Sequence, residues 1–264
     1  MLLLVTLTAA IVTSANAQVT YDNTVSPDFL LGFRQVGSTS SVLLDIGTLT
    51  DPNASQSFSL GNLATVLNAT FGSGFATDGN LFFSLVSTNN GNSGLAPFTN
   101  FVTRSTSTPW TNLTGTNNTN LHNKITAMGN QYNTYSAQQT PGNPAVVESG
   151  GVNDYRLYMP GGTNDSGHAQ GNISFGFFNP STEVSFAGGV AAATLYLDRI
   201  GISPSTTQVF GTFSFSQDFS TLNYVAAIPE PSTCVMTVFG MAGLFVVCRR
   251  RLAKRDRTQA QLNG

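Results

Sequence analysis

Residues 29–46 read FLLGFRQVGSTSSVLLDI and combine two apolar runs with a short polar link. The apolar and β-branched side chains are typical of strands, and residues 37–40 form a four-residue turn sequence. The stretch therefore predicts a β-hairpin with strands at 29–36 and 41–46. Alternation divides the side chains of the first strand between two faces. The two sets are Phe29, Leu31 and Phe33 on one face, and Leu30, Gly32 and Arg34 on the other.

Further strand-like runs follow the hairpin, separated by turns rich in Gly, Pro and Asn. The candidate strands are residues 81–87, 98–104, 156–159, 172–178, 182–186, 193–200, 209–216 and 222–226. Short strands separated by frequent turns are typical of antiparallel β proteins. The chain is therefore predicted to be mainly β, with an antiparallel β-sandwich or jelly roll as its body and one or two short helices.

Two segments show helical spacing. Residues 58–71 place apolar side chains three or four apart, and residues 72–74 contain two glycines that would end a helix. Residues 119–135 form the second segment, with Thr119 or Asn120 as the N-cap. Its apolar stripe predicts core packing rather than a cofactor site. The stripe consists of Leu121, Ile125, Met128, Tyr132 and Tyr135.

The first 17 residues, MLLLVTLTAAIVTSANA, have the pattern of a cleaved export signal. An apolar run at residues 2–12 is followed by the small-x-small sequence that ends at Ala17. We therefore expect cleavage between Ala17 and Gln18. No basic residue precedes Arg34, so either the true start lies upstream of Met1 or the signal is atypical. The alternative for this segment is a buried N-terminal strand.

The stretch 228–251 reads IPEPSTCVMTVFGMAGLFVVCRRR. Residues 232–248 carry no charge, and as a helix they would extend about 25 Å, close to the roughly 30 Å of a bilayer core. The prolines before this run mark where a helix can begin. The three arginines after it, Arg249, Arg250 and Arg251, favour a cytoplasmic position for that end. The segment predicts a single transmembrane helix.

The ordered tail resembles the PEP-CTERM sorting signal of Gram-negative surface proteins, the substrates of exosortases. Pro229, Glu230 and Pro231 match the motif, residues 233–248 the helix, and residues 249–251 the arginine cluster. The resemblance covers about 25 residues. It implies export, a transient stay in the inner membrane, recognition by an exosortase, and delivery to the cell surface or extracellular matrix. One departure is the further 13 residues after the cluster.

The predicted organisation therefore has four parts. Residues 1–17 are the signal peptide, 18–227 the exported β-rich domain, 228–251 the sorting signal, and 252–264 a basic cytoplasmic tail. Two other interpretations of the tail remain open. One is a membrane anchor that is never processed, and the other is a buried core helix.

Composition narrows the function of the body. Residues 18–231 contain 5 basic and 12 acidic side chains, a net charge of −7, so they offer no footprint for nucleic acid. Both cysteines, Cys234 and Cys248, lie in the tail. The body must therefore fold without disulfides, and it has no thiolate ligands or Cys nucleophile.

Candidate chemical groups are few. Asp165, Ser166 and His168 share one loop, but a catalytic triad needs members that converge from separate segments. His122 is interpreted as a solvated surface residue. Asn164 and Asp165 offer oxygen atoms for calcium, without the further acids of an EF-hand. No nucleotide-binding or hydrolase motif occurs.

The predicted function is a non-enzymatic structural or adhesive protein of the cell surface or matrix, with no cofactor. Its expected partners are an exosortase and the inner membrane. The alternative is a lectin-like module that binds exopolysaccharide through stacking aromatic rings, with Trp110, Tyr132 and Tyr135 as candidates. An exported hydrolase has no residue support, and only an acid pair in a cleft at glycosidase separation would revive it.

Overall fold

The computed structural model describes residues 13–16, 20–24, 27–89, 99–107, 115–136, 145–149, 153–159, 182–200 and 208–227. These residues belong to one compact unit that ends at Ala227. The predicted strand at 172–178 and the candidates Trp110, Asn164, Asp165, Ser166 and His168 lie outside the described residues.

The described residues form eleven strands and three α-helices. The strands are β1 Thr13–Asn16, β2 Asp28–Gln35, β3 Ser40–Thr48, β4 Gln56–Ser59, β5 Leu81–Thr88, β6 Asn100–Arg104, β7 Val146–Ser149, β8 Val184–Ser185, β9 Thr194–Ile200, β10 Gln208–Phe215 and β11 Thr221–Ala226. The helices are α1 Leu63–Phe71, α2 Gly115–Ser136 and α3 Tyr155–Tyr158.

All eleven strands belong to one sheet, with the order β1-β4-β11-β10-β9-β6-β5-β2-β3-β7 and β8 paired to β5. Every pairing is antiparallel except that of β1 with β4. The mainly β, antiparallel prediction is therefore confirmed. The strands form one continuous sheet where the sequence suggested a two-sheet sandwich.

The sheet is strongly curled. Phe33 on β2 and Phe215 on β10 lie four strands apart in the sheet, which would separate them by roughly 19 Å if it were flat. Their ring centroids are 6.0 Å apart. Phe83 on β5 also meets Phe215 edge-on at 5.1 Å. The curl therefore brings the inner faces of distant strands together around one core.

The inner core is built largely from aromatic rings. It contains ten of the 19 phenylalanines of the chain, from β2, β4, β5, β6, β10 and the turns between strands. They are Phe29, Phe33, Phe58, Phe75, Phe83, Phe101, Phe186, Phe213, Phe215 and Phe219. A buried aromatic side chain contributes about 150–250 Å² of burial, so these rings dominate the hydrophobic stabilisation of a body without disulfides.

The hairpin prediction is confirmed. Strands β2 and β3 pair antiparallel across a turn in which Gly37 has a φ of 80°. Phe29, Leu31 and Phe33 enter the inner core. Leu30 joins a second cluster of buried side chains on the opposite face of the sheet, which we call the outer cluster. Both faces of β2 are therefore buried, one against the curled sheet and the other against helices.

Helix α2 is also confirmed, although it begins at Gly115 and not at the predicted cap. The stripe residues Leu121, Ile125, Met128 and Tyr132 are fully buried. The helix packs on β5, β6 and β7, on the outer face of the sheet. The prediction of core packing for these four side chains is therefore correct.

Other boundaries differ from the sequence prediction. The segment 58–71 divides into β4 and α1, because Phe58 enters the inner core from a strand and Gly61, with φ 57°, turns the chain. Gly72, with φ 92°, ends α1 as expected. Residues 156–159, predicted as a strand, lie in and just after the helical turn α3, whose Tyr155 packs on β2. Strand β7 was not predicted.

Strand β1 lies inside the predicted signal peptide. It pairs in parallel with β4, with Thr13 opposite Gln56 and Asn16 opposite Ser59. The intact chain therefore gives residues 13–16 a place at the edge of the sheet. Cleavage after Ala17 would remove this strand and leave β4 at that edge.

We predict that Gly32→Ala destabilises the fold. A Cβ at Gly32 would lie 2.2 Å from two ring atoms of Tyr155, so the ring or the strand must move. The expected loss is about 1–3 kcal/mol in the free energy of unfolding, measured by urea titration followed by circular dichroism. Gly74→Ala is the control, since nothing lies within 4 Å of its Cβ position. Equal stabilities of the two variants would contradict the close packing of α3 on β2.

Candidate functional site

The predicted sorting residues all lie outside the described part of the chain. These are the cleavage pair Ala17 and Gln18, the motif Pro229, Glu230 and Pro231, and the arginines Arg249, Arg250 and Arg251. The structure does show where the folded body ends. The amide of Ala227 donates to the carbonyl of Phe210 at 2.8 Å, which extends the β10–β11 pairing by one bond. That bond lies two residues before Pro229 in the sequence.

A second candidate is the outer face of β4, β11, β10 and β9. Inner-core side chains alternate along these strands with side chains that point outward and are half-buried or exposed. None of the outward side chains in this set is charged. They are Ser57, Ser59, Thr194, Tyr196, Thr212, Ser214, Thr221, Asn223 and Val225, and we call this set the open face.

The open face is ordered by the strand register. One row runs across four strands, from Thr194 to Ser214, Asn223 and Ser57. Within it the Ser57 hydroxyl donates to Asn223 Oδ1 at 2.9 Å. The main contacts of the three α-helices with strands are with β2, β3, β5, β6 and β7, which belong to the other part of the sheet. The open face thus presents rows of hydroxyl and amide groups beside the half-buried ring of Tyr196.

The outer face of the remaining strands carries a buried ion pair. Arg34 donates through Nη2 to Glu183 Oε2 at 2.6 Å and through Nε to Oε1 at 3.0 Å. The Tyr155 hydroxyl donates to Glu183 Oε1 at 3.1 Å and lies 2.7 Å from Ser84 Oγ. Both charged side chains are at most 2% exposed. The pair therefore fastens the segment before β8 to the C-terminal end of β2.

A second buried pair joins β6 to β9. Arg104 Nη2 donates to Asp198 Oδ1 at 2.9 Å, Nε donates to Oδ2, and Nη1 donates to the carbonyl of Thr106. Its guanidinium also lies 5.5 Å from the ring centroid of Tyr196 on the open face. Two of the five cations of the body are thus used inside the fold, so they are not available to bind an anionic partner at the surface.

Glu148 on β7 is buried without a close ion pair. Burial is the main reason that the pKa of Glu148 is raised to about 8. Two hydrogen bonds to its Oε2 oppose this effect, one donated by Tyr155 N at 2.9 Å and one by Ser41 Oγ at 3.2 Å. At neutral pH this carboxyl therefore holds its proton for most of the time. It lies under α2 and α3 and stabilises the attachment of α3 rather than facing solvent.

The interpretation of His122 as a solvated residue was wrong. Only 8% of His122 is exposed, and Nδ1 lies 2.7 Å from Thr88 Oγ1 at the end of β5. Burial lowers the pKa of His122. The buried side of α2 therefore includes polar residues beside the apolar stripe. Thr88 is the partner of His122, and Asn100 Nδ2 donates to Asn118 Oδ1.

Of the predicted sugar-stacking residues, Trp110 lies outside the described part of the chain, and Tyr132 and Tyr135 pack against the outer cluster. Tyr132 is fully buried. Burial is the main cause that raises the pKa of Tyr132, and the charge of Asp45 raises it further. Tyr135 is packed at the margin of the outer cluster. The open face was not predicted, although the alternation of Ser and Thr with Phe in residues 212–215 was a usable signal for it.

Within the described ranges, no group of three His, Cys, Asp or Glu side chains is placed to hold a metal ion. None of the helices in that part of the chain has the length and apolar character needed to cross a membrane. The predicted membrane helix at 232–248 lies outside it.

Comparison with known proteins gives one match. A family model described as the PEP-CTERM protein-sorting motif matches residues 227–251. No curated protein and no solved structure is significantly similar to the chain. The chain therefore carries a PEP-CTERM protein-sorting motif, as the order of Pro-Glu-Pro, apolar run and arginines predicted. The motif implies export through the membrane to the cell surface, with an exosortase as the processing partner.

We predict that Glu183→Gln destabilises the body by about 3–5 kcal/mol, because it removes the carboxylate charge that faces the buried Arg34 guanidinium. The double variant Arg34→Met/Glu183→Leu should recover much of this loss, since no buried charge remains. Asp78→Asn, which alters a partly buried bond to Gln35, is the control and should cost about 1 kcal/mol or less. A loss for Glu183→Gln no larger than that of the control would show that the pair is not essential. Urea unfolding measures all three.

Proposed function

We propose that this chain is an exported, exosortase-processed protein with a structural or adhesive, non-enzymatic role at the surface or in the extracellular matrix of a Gram-negative bacterium. The observation that carries the proposal is the sorting motif at residues 227–251. In this proposal residues 232–248 hold the protein in the inner membrane, and Arg249 to Arg251 keep the far end in the cytoplasm. The prolines keep the motif extended and accessible to the sorting enzyme.

The short distance along the chain between body and motif supports this role for the tail. The last hydrogen bond of the sheet is at Ala227, and only Ile228 lies between it and Pro229. The described hydrogen bonds of the body therefore end before the motif begins in the sequence. Cleavage near the motif would release a sheet whose own hydrogen bonds are intact.

The properties of the body favour a structural or adhesive role. Its open face presents uncharged hydroxyl and amide groups, which can hydrogen-bond to neutral polar material without the desolvation cost of charges. Glu148 and Asp154, two carboxyls that lie close together among the described residues, are both buried. They do not form the open acid pair that glycoside cleavage requires. A lectin-like site would need more than the one aromatic ring, that of Tyr196, on this face.

The sorting step is tested by mass spectrometry of the protein from producing cells. The wild-type product should begin at Gln18 and lack the tail, whereas Glu230→Ala should retain the tail and remain in the inner membrane. Replacing Arg249 to Arg251 by serine is a second variant, expected to disturb membrane topology and leave the motif intact. An unchanged mass and location for Glu230→Ala would contradict processing at the motif, and a product that begins at Met1 would contradict signal cleavage.

The adhesive role is tested by placing charge on the open face. Thr212→Lys/Ser214→Lys puts two cations at the centre of β10, and we expect at least a severalfold loss of aggregation between cells that display the protein. Asp51→Lys, in an exposed turn away from this face, is the control. The amount of protein at the surface is measured for each variant. Normal aggregation by the double variant would exclude the open face from adhesion.

A further inference from the structure

The segment before β2 is fastened across helix α2. We call residues 20–24 the N-terminal strap. Tyr21 N donates to Asn133 Oδ1 at 2.7 Å, and Asn133 Nδ2 donates back to Tyr21 O at 3.1 Å. Asn23 Nδ2 donates to Thr126 Oγ1 at 3.2 Å. The Tyr21 ring fills the space beside Gly129, where a Cβ would lie 2.1 Å from it. The strap therefore closes over the outer cluster beneath α2.

Asp28 connects the strap to the sheet. Its Oδ2 accepts a hydrogen bond from Asp22 N at 2.8 Å, and its Oδ1 accepts one from Thr48 Oγ1 at 2.7 Å. The pairing of β2 with β3 shifts register between Asp28 and Leu30, and Leu30 lies opposite Asp45. This irregularity brings the carboxyls of Asp28 and Asp45 close enough to hydrogen-bond once one of them is protonated.

Two polar atoms at this point have no hydrogen-bond partner. Asp45 is fully buried, and Gly47 N donates to its Oδ1 at 2.7 Å, but no donor reaches Oδ2. The Tyr21 hydroxyl is also buried and unpaired. The titratable groups that act on Asp45 are Tyr21 and Asp22 of the strap, Asp28 of β2 and Tyr132 of α2, and all of them are acids.

We propose that Asp28 and Asp45 form a proton-binding site, in which one shared proton holds the strap closed over α2 and loss of that proton opens it. Two buried carboxylates side by side cannot both be ionised at low cost. A proton on Asp45 Oδ2 provides a donor for Asp28 and removes the repulsion. Asp28 keeps its bonds to Asp22 N and Thr48 only while the two carboxyls attract each other.

The electrostatics agree with this geometry. Burial is the largest cause that raises the pKa of Asp45 well above its ordinary value, and the charge of Asp28 raises it further. Burial likewise raises the pKa of Asp28. Because the closed state binds the proton more tightly than the open state, the closed strap is most stable below about pH 4. Its stability falls as the pH rises from there towards the raised pKa.

Hydrogen exchange at the Tyr21 amide tests the proposal, because this amide is protected only while its bond to Asn133 is closed. The protection factor, corrected for the intrinsic exchange rate, is measured from pH 4.5 to 6.5 in the exported protein. While the pH lies between the pKa of Asp45 in the open strap and its raised pKa in the closed strap, release of one proton on opening predicts a loss of about tenfold in protection per pH unit. In Asp45→Asn, whose amide can donate to Asp28 at every pH, protection should not change with pH.

Two comparisons decide the outcome. A wild-type protection factor that does not change with pH, or an equal slope in Asp45→Asn, would overturn the proposal. The Leu60 amide, bonded to Ser220 O in the inner part of the fold, reports on wider unfolding. A parallel loss at Leu60 would show that the whole body opens and not the strap. Carboxyl carbon resonances of the wild type give an independent check, since titration of Asp45 near pH 4 would contradict a shared proton.

Discussion

Contact between phenylalanine rings from distant strands holds the body together. Phe33 and Phe83 are paired neighbours on β2 and β5, and Phe215 of β10 reaches both rings only because the sheet curls. In a flat sheet with the same strand order, Phe215 would lie far from the other two rings. Because the exported body has no cysteine, burial of such rings must replace the disulfides that many exported domains use. The curl and the aromatic core therefore depend on each other.

The curl also explains why the two halves of the outer face differ. Strands β6, β5, β2, β3 and β7 are covered by α2 and α3. Burial favours outward side chains there that are apolar or hydrogen-bonded. Arg34 with Glu183 satisfies this condition, and Arg104 with Asp198 lies at the border with the uncovered strands. Among the main contacts, no α-helix packs on the outer side of β4, β11, β10 and β9. The outward side chains of these strands can therefore be polar residues such as Ser, Thr and Asn. One sheet thus provides both a covered layer and a polar surface.

The sequence predicted those features that depend on neighbouring residues. Alternation in residues 29–33 assigned both faces of β2 correctly, and the stripe on α2 identified four buried side chains. It failed where a distant contact decides. Strand β7 exists because Val147 pairs with Val42, more than a hundred residues earlier, and its four residues carry too short a pattern to be distinguished. His122 is buried because strand ends supply its polar partners, which the helix pattern alone does not show.

The same difference separates the sorting tail from the body. An apolar run, a pair of prolines and a cluster of arginines are features of local composition, so their order in 25 residues is enough to identify the motif. The open face arises only when β4 pairs with β11, from a distant part of the chain, whereas the acid pair of Asp28 and Asp45 depends on the register of the β2–β3 hairpin. The sorting motif and the open face are therefore encoded over different distances along the chain. In this chain β11 ends at Ala226, and the amide of Ala227 makes one more described bond to β10 before Pro229 is reached in the sequence.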